Sequence, residues 1–297
     1  MTEYTSITLQ SVLFHTPAES LVRALESVDR VSQLGQSSGR HGLVDVSYGD
    51  CSPSPVFQDD EIDSLNKRFS GIKIRYTHFG RNLGHGGAQN QLAARTETDR
   101  LVTANPDVLP SHRTLGELTA VLEDKTIGIA EAKQLPLEHP KEYDRASGAT
   151  SWASGAFSMF RTVEFVDLGG FDHESFFMYG DDVDLSWRYR LRGFQVIFQP
   201  AAIAFHDKRL GGSGEWLASE TEQYYSAESA LMLAYKWSRD DILDRLLENM
   251  TDFPDPIIQR AVTAFLKRRD EGALPLRLDE GNTTAEFVNG NYAGHRW

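Results

Sequence analysis

Residues 169–206, GGFDHESFFMYGDDVDLSWRYRLRGFQVIFQPAAIAFH, constrain the fold more than any other part of the chain. Paired glycines tolerate positive φ and an aspartate can bond back to nearby backbone, so Gly169-Gly170-Phe171-Asp172 reads as a turn. Phe176, Phe177, Met178 and Tyr179 form an apolar patch. Gly180 then interrupts the chain, and Asp181-Asp182-Val183-Asp184 opens a helix through Leu185, Trp187, Arg188 and Leu191 that Gly193 ends. Asp181 is the expected N-cap, with Asp182 in the first turn. Free N–H groups and the helix dipole favour carboxylates there, which alone would account for an acidic helix start. The company of these aspartates points further. A strand over 194–198 and a second one ending at His206-Asp207 deliver an imidazole and a carboxylate to one sheet edge, where open α/β sheets build metal and catalytic sites.

The rest of the chain alternates in the same manner. Residues 6–14 read as a buried strand, and Thr16-Pro17-Ala18-Glu19 as a capping box with proline at the first helical position, launching a helix through Leu21, Leu25 and Val28. Strands follow at 43–48, 72–77, 99–103 and 126–130, with helices at 59–69 and 111–123 between them. Residues 80–91 are glycine-rich at a loop-to-helix entry, which permits close approach of backbone to a phosphate. Their spacing is not that of a dinucleotide-binding fold. Residues 136–150 are polar and irregular, a plausible mobile loop, and Gly211-Gly212-Ser213-Gly214 reads as a hinge or closing loop. Helices are expected at 220–237, from Ser238 onward and at 257–268. The segment 272–297 gives no firm signal, and no internal repeat is evident.

GGFDHESFFMYGDDVDL, Arg192-Gly193-Phe194 and the stretch PAAIAFH at 200–206 resemble the C-terminal half of family 2 glycosyltransferases, inverting enzymes of the GT-A fold, especially rhamnosyl- and galactofuranosyltransferase-like members. The family pattern there is GGFDE-x-FF-x-x-x-EDVDL-x-x-R-x-x-x-x-G, a strand, then Pro-x-Ala-x-x-x-His. The resemblance implies an α/β fold, a twisted mixed sheet flanked by helices over 1–215, and a helical C-terminal extension over 216–297. It also implies transfer of a sugar from a nucleotide-diphosphate donor of the dTDP-rhamnose or UDP-hexose type, with inversion, to an acceptor hydroxyl on a glycan, a lipid-linked saccharide or a small molecule. Asp182 matches the aspartate of the family's Glu-Asp pair and is the implied general base. Asp181, the second implied catalytic residue, replaces the glutamate with a shorter arm, which would change how the acceptor is held. Asp184 is expected to be structural.

The other implied sites are carried motif by motif. Asn105-Pro106-Asp107 stands at the Asn-x-Asp metal motif after the fourth strand, so Asp107, with His206, would hold Mn2+ or Mg2+ on the diphosphate. Asn105 would meet sugar or water. A carboxylate at a strand's C-terminal end is a suitable hard ligand for such an ion. Residues 82–90 are similar to N-x-G-x-x-x-G-x-N and imply nucleotide contact by Arg81, Asn82, Gly86 and Asn90, with Ala88 at the second glycine. At 154–161 the chain matches SGAF-x-x-x-R, which places Ser154 and Gly155 under the donor sugar. Trp152 reads either as a sugar platform or as core. Phe14 and His15 stand where the family has a base-contacting Tyr-Asn-Ser turn, and His15 reads equally as an exposed residue of a capping turn. The family's Asp-Asn-x-Ser departs here to Gly49-Asp50-Cys51-Ser52, leaving Asp50 as the nearest carboxylate.

A formal charge of −13 in 297 residues argues against a nucleic-acid partner, although Lys208-Arg209 and Lys267-Arg268-Arg269 are local basic patches. One cysteine, Cys51, excludes an intrachain disulfide, and no run reaches membrane-spanning length. A cytoplasmic protein is expected, with peripheral membrane contact if the acceptor is lipid-linked and association through the C-terminal helices. Two rivals remain at the level of sequence. One is a sugar nucleotidyltransferase, disfavoured by the lack of a basic glycine-rich loop in 6–20. The other is a non-catalytic nucleotide-sugar-binding scaffold, motivated by the departures at Gly49-Asp50 and Asp181.

Overall fold

A computed structural model describes residues 4–138, 141–207 and 218–292. The first half is built from strands each followed by a helix. These are β1 (Ile7–Leu13), α1 (Ala18–Ser37), β2 (Val44–Asp50), α2 (Asp59–Arg68), β3 (Ile72–His78), α3 (Gly84–Ala93) and β4 (Arg100–Ala104). β5 (Val108–Pro110), α4 (Thr114–Val121), β6 (Ile127–Leu135), β7 (Phe157–Arg161), α5 (Thr162–Asp167), α6 (Asp181–Leu191) and β8 (Gln195–His206) follow, then α7 (Glu220–Lys236), α8 (Asp240–Thr251) and α9 (Pro256–Asp270). The strands form one mixed sheet in the order β3-β2-β1-β4-β7-β6-β8-β5. β3, β2, β1 and β4 are parallel, with Ile7 opposite both Val44 and Arg100; β7 runs antiparallel between β4 and β6.

Burial explains the strand composition. Ile7, Leu9, Leu13, Val44, Val46, Val102 and Phe157 lie in one core with Leu21, Leu25 and Val28 of α1. Each side chain of this size taken out of water is worth about 1.5–3 kcal/mol. A second core joins Phe176, Val183 and Trp187, on and before α6, to Leu231, Leu233, Trp237, Leu246 and Phe265 of α7, α8 and α9. The C-terminal helices therefore pack directly on the acidic helix.

Four local expectations differ from the structure. The Thr16 capping box does not form: Pro17 occupies the cap position without a side-chain bond, and Thr16 Oγ1 accepts instead from the Phe14 N–H at 3.3 Å. The two strands expected around Pro200 are one strand, β8. Its pairing with β6 jumps from Ala132–Gln199 to Lys133–Ile203, so the proline, which has no N–H to give, sits in a bulge. Gly180, at φ 72°, rather than Asp181 caps α6, which leaves the Asp181 side chain free to reach elsewhere. The strand expected over 152–161 begins only at Phe157, because Ser154 Oγ and Asp182 take the N–H groups of Ala156 and Gly155. The glycine-rich run 211–214 and Lys208-Arg209 lie outside the described residues.

Candidate active site

The topology brings the acidic helix, the glycine-rich turn and the ends of β4 and β8 to one cleft of about 710 Å³. Its lining includes Phe14, Asn82, His85, Asn105, Asp107, Trp152, Ser154, Gly155, Asp181, Asp182, His206, Asp207, Glu222 and Tyr292. The pairing of β5 with β8 sets Val108 opposite His206, and the Asp207 N–H donates to the Asp107 carbonyl at 3.0 Å. Two residues a hundred positions apart thereby meet, with His206 Nε2 at 3.4 Å from Asp107 Oδ1. Gln134 Oε1 lies 2.8 Å from His206 Nδ1, a contact that suits a proton on Nδ1 and turns Nε2 toward Asp107. Asn105 Nδ2 is 3.5 Å from the same Nε2.

Asp182 occupies the second position of α6. Its Oδ2 accepts from the Gly155 N–H at 3.0 Å and its Oδ1 from the Val183 N–H at 2.9 Å. Burial and the neighbouring Asp181 carboxylate push its carboxyl above the ordinary value, against the two N–H groups and His85, which pull it down. A helix N-terminus alone would make this group a weaker base; enclosure reverses the sign. Asp181 turns to His85, whose Nδ1 is 2.6 Å from Asp181 Oδ2. Sequence reasoning missed His85. The available signal was an imidazole among glycines, at 84, 86 and 87, whose small neighbours let it approach a facing element.

Several residues expected at the nucleotide stand outside this lining and have other contacts. Asp50 is fully buried, and its carboxylate accepts from Ser52 N (2.9 Å), Val56 N (2.9 Å) and Tyr76 Oη (2.5 Å), so it organises the 51–56 loop. Asn90 clamps the 169–172 turn onto α3, donating to the Phe171 carbonyl at 2.8 Å and accepting the Phe171 N–H at 2.9 Å. Gly86 permits that close packing, since a Cβ there would fall 2.7 Å from Phe171 Cβ. Arg81 is exposed outside the cleft, and His15, at φ 53°, donates its N–H to Ser52 Oγ at 2.8 Å. Asn82 lines the cleft and accepts the Gly84 N–H at 3.0 Å. Trp152 also reaches the cleft but is 4 % exposed, with the Lys141 ammonium 4.1 Å from its ring centre and Tyr292 edge-on at 6.3 Å. Lys141 is in turn held by the buried Glu131 at 2.5 Å, which ties the chain at Lys141 to β6. Asp184 is structural in its contacts: Arg188 Nε, Lys236 Nζ and Trp237 Nε1 all meet it.

The chemistry of the donor set suits a divalent cation at Asp107 and His206. One carboxylate and one imidazole leave positions for phosphate oxygens and water. Among the described residues the cleft carries five carboxylates, Asp107, Asp181, Asp182, Asp207 and Glu222, and no lysine or arginine. A diphosphate entering there needs a positive partner. No group of three or more His, Cys, Asp or Glu ligands occurs among the described residues, so phosphate would have to complete such a site.

No family model matches the chain. Over 67 residues it is 37% identical to rhamnosyltransferase WbbL of Escherichia coli, a segment covering 23% of this chain and 25% of that one. Over 104 residues it is 27% identical to poly-beta-1,6-N-acetyl-D-glucosamine synthase of Staphylococcus aureus, covering 35% and 22%. The chain thus spans about a quarter of the length of the curated relatives it matches. Similar solved structures include GalNAc-T7 with UDP, GalNAc and Mn2+ (TM-score 0.66, 13% identity, 95% of this chain and 56% of that one). Mannosyltransferase PcManGT from Pyrobaculum calidifontis with GDP-Man and Mn2+ is similar too (0.57, 14%, 97% and 78%), as is S. aureus TarS 1-349 with UDP-GlcNAc (0.57, 14%, 91% and 82%). The mixed sheet, its flanking helices and these likenesses establish that the chain has the GT-A glycosyltransferase fold and is related, over part of its length, to bacterial glycosyltransferases.

Proposed function

We propose that the chain is an inverting glycosyltransferase that moves a sugar from a nucleotide-diphosphate donor, of the dTDP-rhamnose or UDP-hexose type, to an acceptor hydroxyl. The observation that carries this reading is a single cleft holding both a carboxylate oriented by two backbone N–H groups, Asp182, and a carboxylate–imidazole pair, Asp107 and His206. The residues that would hold Mn2+ or Mg2+ are Asp107 and His206, and the ion would supply countercharge to the diphosphate. Asp182 accepts the proton of the acceptor hydroxyl. The acceptor oxygen then bonds the anomeric carbon on the face opposite the leaving group, and the bond to the diphosphate oxygen breaks with its electron pair remaining on the diphosphate. The Gly155 and Val183 N–H groups hold the Asp182 oxygens in one orientation through this transfer. Ser154, Gly155 and Asn105 border the donor sugar in this account, and Phe14 and Asn82 the nucleotide.

Among the described residues no helix is long and apolar enough to cross a membrane. A cytoplasmic location, a glycan, lipid-linked or small-molecule acceptor, peripheral membrane contact, association through the C-terminal helices and the division at residue 215 belong to the same reading.

The test is transfer by Asp182→Asn with each donor class and a panel of hydroxyl acceptors. Turnover should fall by about 10²–10⁴-fold, the usual contribution of a positioned base, with donor binding retained. Unchanged transfer would exclude Asp182 as the base; absence of transfer by the parent protein with every donor would favour a nucleotide-sugar-binding scaffold.

A further inference from the structure

Two carboxylates stand side by side at the first two positions of α6, and enclosed neighbours of like charge repel one another. The group that meets them is His85. Its Nδ1 lies 2.6 Å from Asp181 Oδ2, its ring packs edge-on to Phe171 at 5.0 Å, and its backbone N–H donates to the Phe177 carbonyl at 3.2 Å. The Cε1–Nε2 edge of the ring faces Gly155, where an added Cβ would stand 3.2 Å from His85 Cε1, 3.7 Å from Nε2 and 3.6 Å from Asp182 Cβ. Gly155 is also the N–H donor to Asp182. The imidazole is thus wedged between the helix that carries both aspartates and the loop that orients the second.

The charged surroundings are few. Asp181 and Asp182 face His85 from α6. Glu131 of β6 feels the Asp182 charge and has its own counter-ion, Lys141, at 2.5 Å. Burial opposes the imidazolium form of His85, but attraction and hydrogen bonding to Asp181 outweigh it and hold its pKa above the ordinary value. His85 works in the other direction on Asp182, against the rise that burial and Asp181 impose.

We propose that His85 is a positioning residue for Asp182. Its imidazolium fixes Asp181 through the 2.6 Å contact and places a positive charge beside two adjacent carboxylates at one helix end. This rests on the reading of Asp182 as the base. His85 acts through the two aspartates, keeping the base able to take a proton at lower pH than the carboxylate pair alone would allow.

The experiment is the pH profile of kcat/KM for the parent protein, His85→Gln and His85→Phe. Glutamine retains a hydrogen-bond donor without the charge; phenylalanine retains only the ring. Both variants should move the acid limb upward by about one pH unit, the low end of what a neighbouring opposite charge does to a carboxylate. The glutamine variant should approach the parent rate at high pH. A uniform loss with the limb unmoved would overturn the proposal, since His85 would then serve packing alone. Asp182→Asn, run in parallel, reports separately on the base: parent-like turnover there defeats the base reading whatever His85 does. Should a His85 variant fail to fold, NMR titration of the His85 ring in the parent and in Asp181→Asn still decides. His85 should titrate above the ordinary imidazole value and fall in the variant; parent titration at or below the ordinary value refutes the proposal.

Discussion

Lys236→Met should be among the most damaging single changes away from the cleft. Lys236 Nζ lies 2.7 Å from both Asp172 Oδ2 and Asp184 Oδ1, joining α7 to the turn before α6 and to α6 itself. The lysine and Asp184 side chains are 7% and 0% exposed, so removing the ammonium strands carboxylates that water cannot readily reach. Breaking one partner of a buried pair costs about 3–5 kcal/mol. Arg188 still holds Asp184 at 2.8 Å and Asp172 is 23% exposed, which places the expected loss near about 3 kcal/mol, the low end of that range. For a chain of this length that corresponds to a fall in Tm of about 5 °C.

The pH dependence of this loss has a definite sign. Burial acts to raise the Asp172 carboxyl, but the Lys236 charge and the Ser175 bonds hold it below the ordinary value. A depressed carboxyl contributes stability above its unfolded pKa, and that contribution disappears as pH falls through the folded pKa. The deficit of the variant should therefore be largest near neutrality and shrink in acid, as the Asp172 carboxylate takes a proton. Denaturant unfolding at a series of pH values measures both quantities. A variant within about 1 kcal/mol of the parent at neutral pH, far under the cost of breaking a buried pair, would refute the reasoning. So would a deficit independent of pH.

Two further outcomes follow from the geometry. Asp50→Ala leaves the buried Ser52 N–H, the half-buried Val56 N–H and the Tyr76 hydroxyl without their acceptor, so stability should drop by about 2–4 kcal/mol in chemical denaturation with little change in the KM for donor. A large donor-KM effect with stability intact would instead return Asp50 to the nucleotide site. In the parent enzyme, the raised Asp182 carboxyl predicts an acid limb of kcat above the ordinary carboxylate range, with activity lost as pH falls through it; a flat profile across that range would contradict this.

What could be read in the sequence divides along physical lines. Strand and helix periods are local, so β1, β2, β3 and α2 are legible within a few residues, and Asp181-Asp182 at a helix start follows from the glycine before them. The meeting of Asp107 with His206 was legible through the resemblance, although the strand that arranges it, β5, is only three residues long and has no periodic signal of its own. The pairing of His85 with Asp181 spans 96 positions and depends on α3 approaching α6 through glycines, which no local pattern encodes. Asn90 illustrates the converse. An asparagine in a glycine-rich run suits either a ligand or a backbone turn, and here both ends of its amide are spent on Phe171. The union of α7 with α6 through Lys236 was equally hidden, since a lysine near a helix C-terminus ordinarily reads as a solvated dipole partner.

The most direct test of the central claim is donor binding read as a rise in Tm, with UDP-, dTDP- and GDP-sugars, each with and without Mn2+, on the parent protein, Asp107→Asn and Asp182→Asn. A ligand that binds only the folded state at a hundred times its Kd stabilises by about 2.7 kcal/mol, well within reach of such a measurement. The account predicts a metal-dependent rise with one nucleotide class in the parent and in Asp182→Asn, lost in Asp107→Asn. No rise with any nucleotide in the parent, or an equal rise in Asp107→Asn, would contradict it.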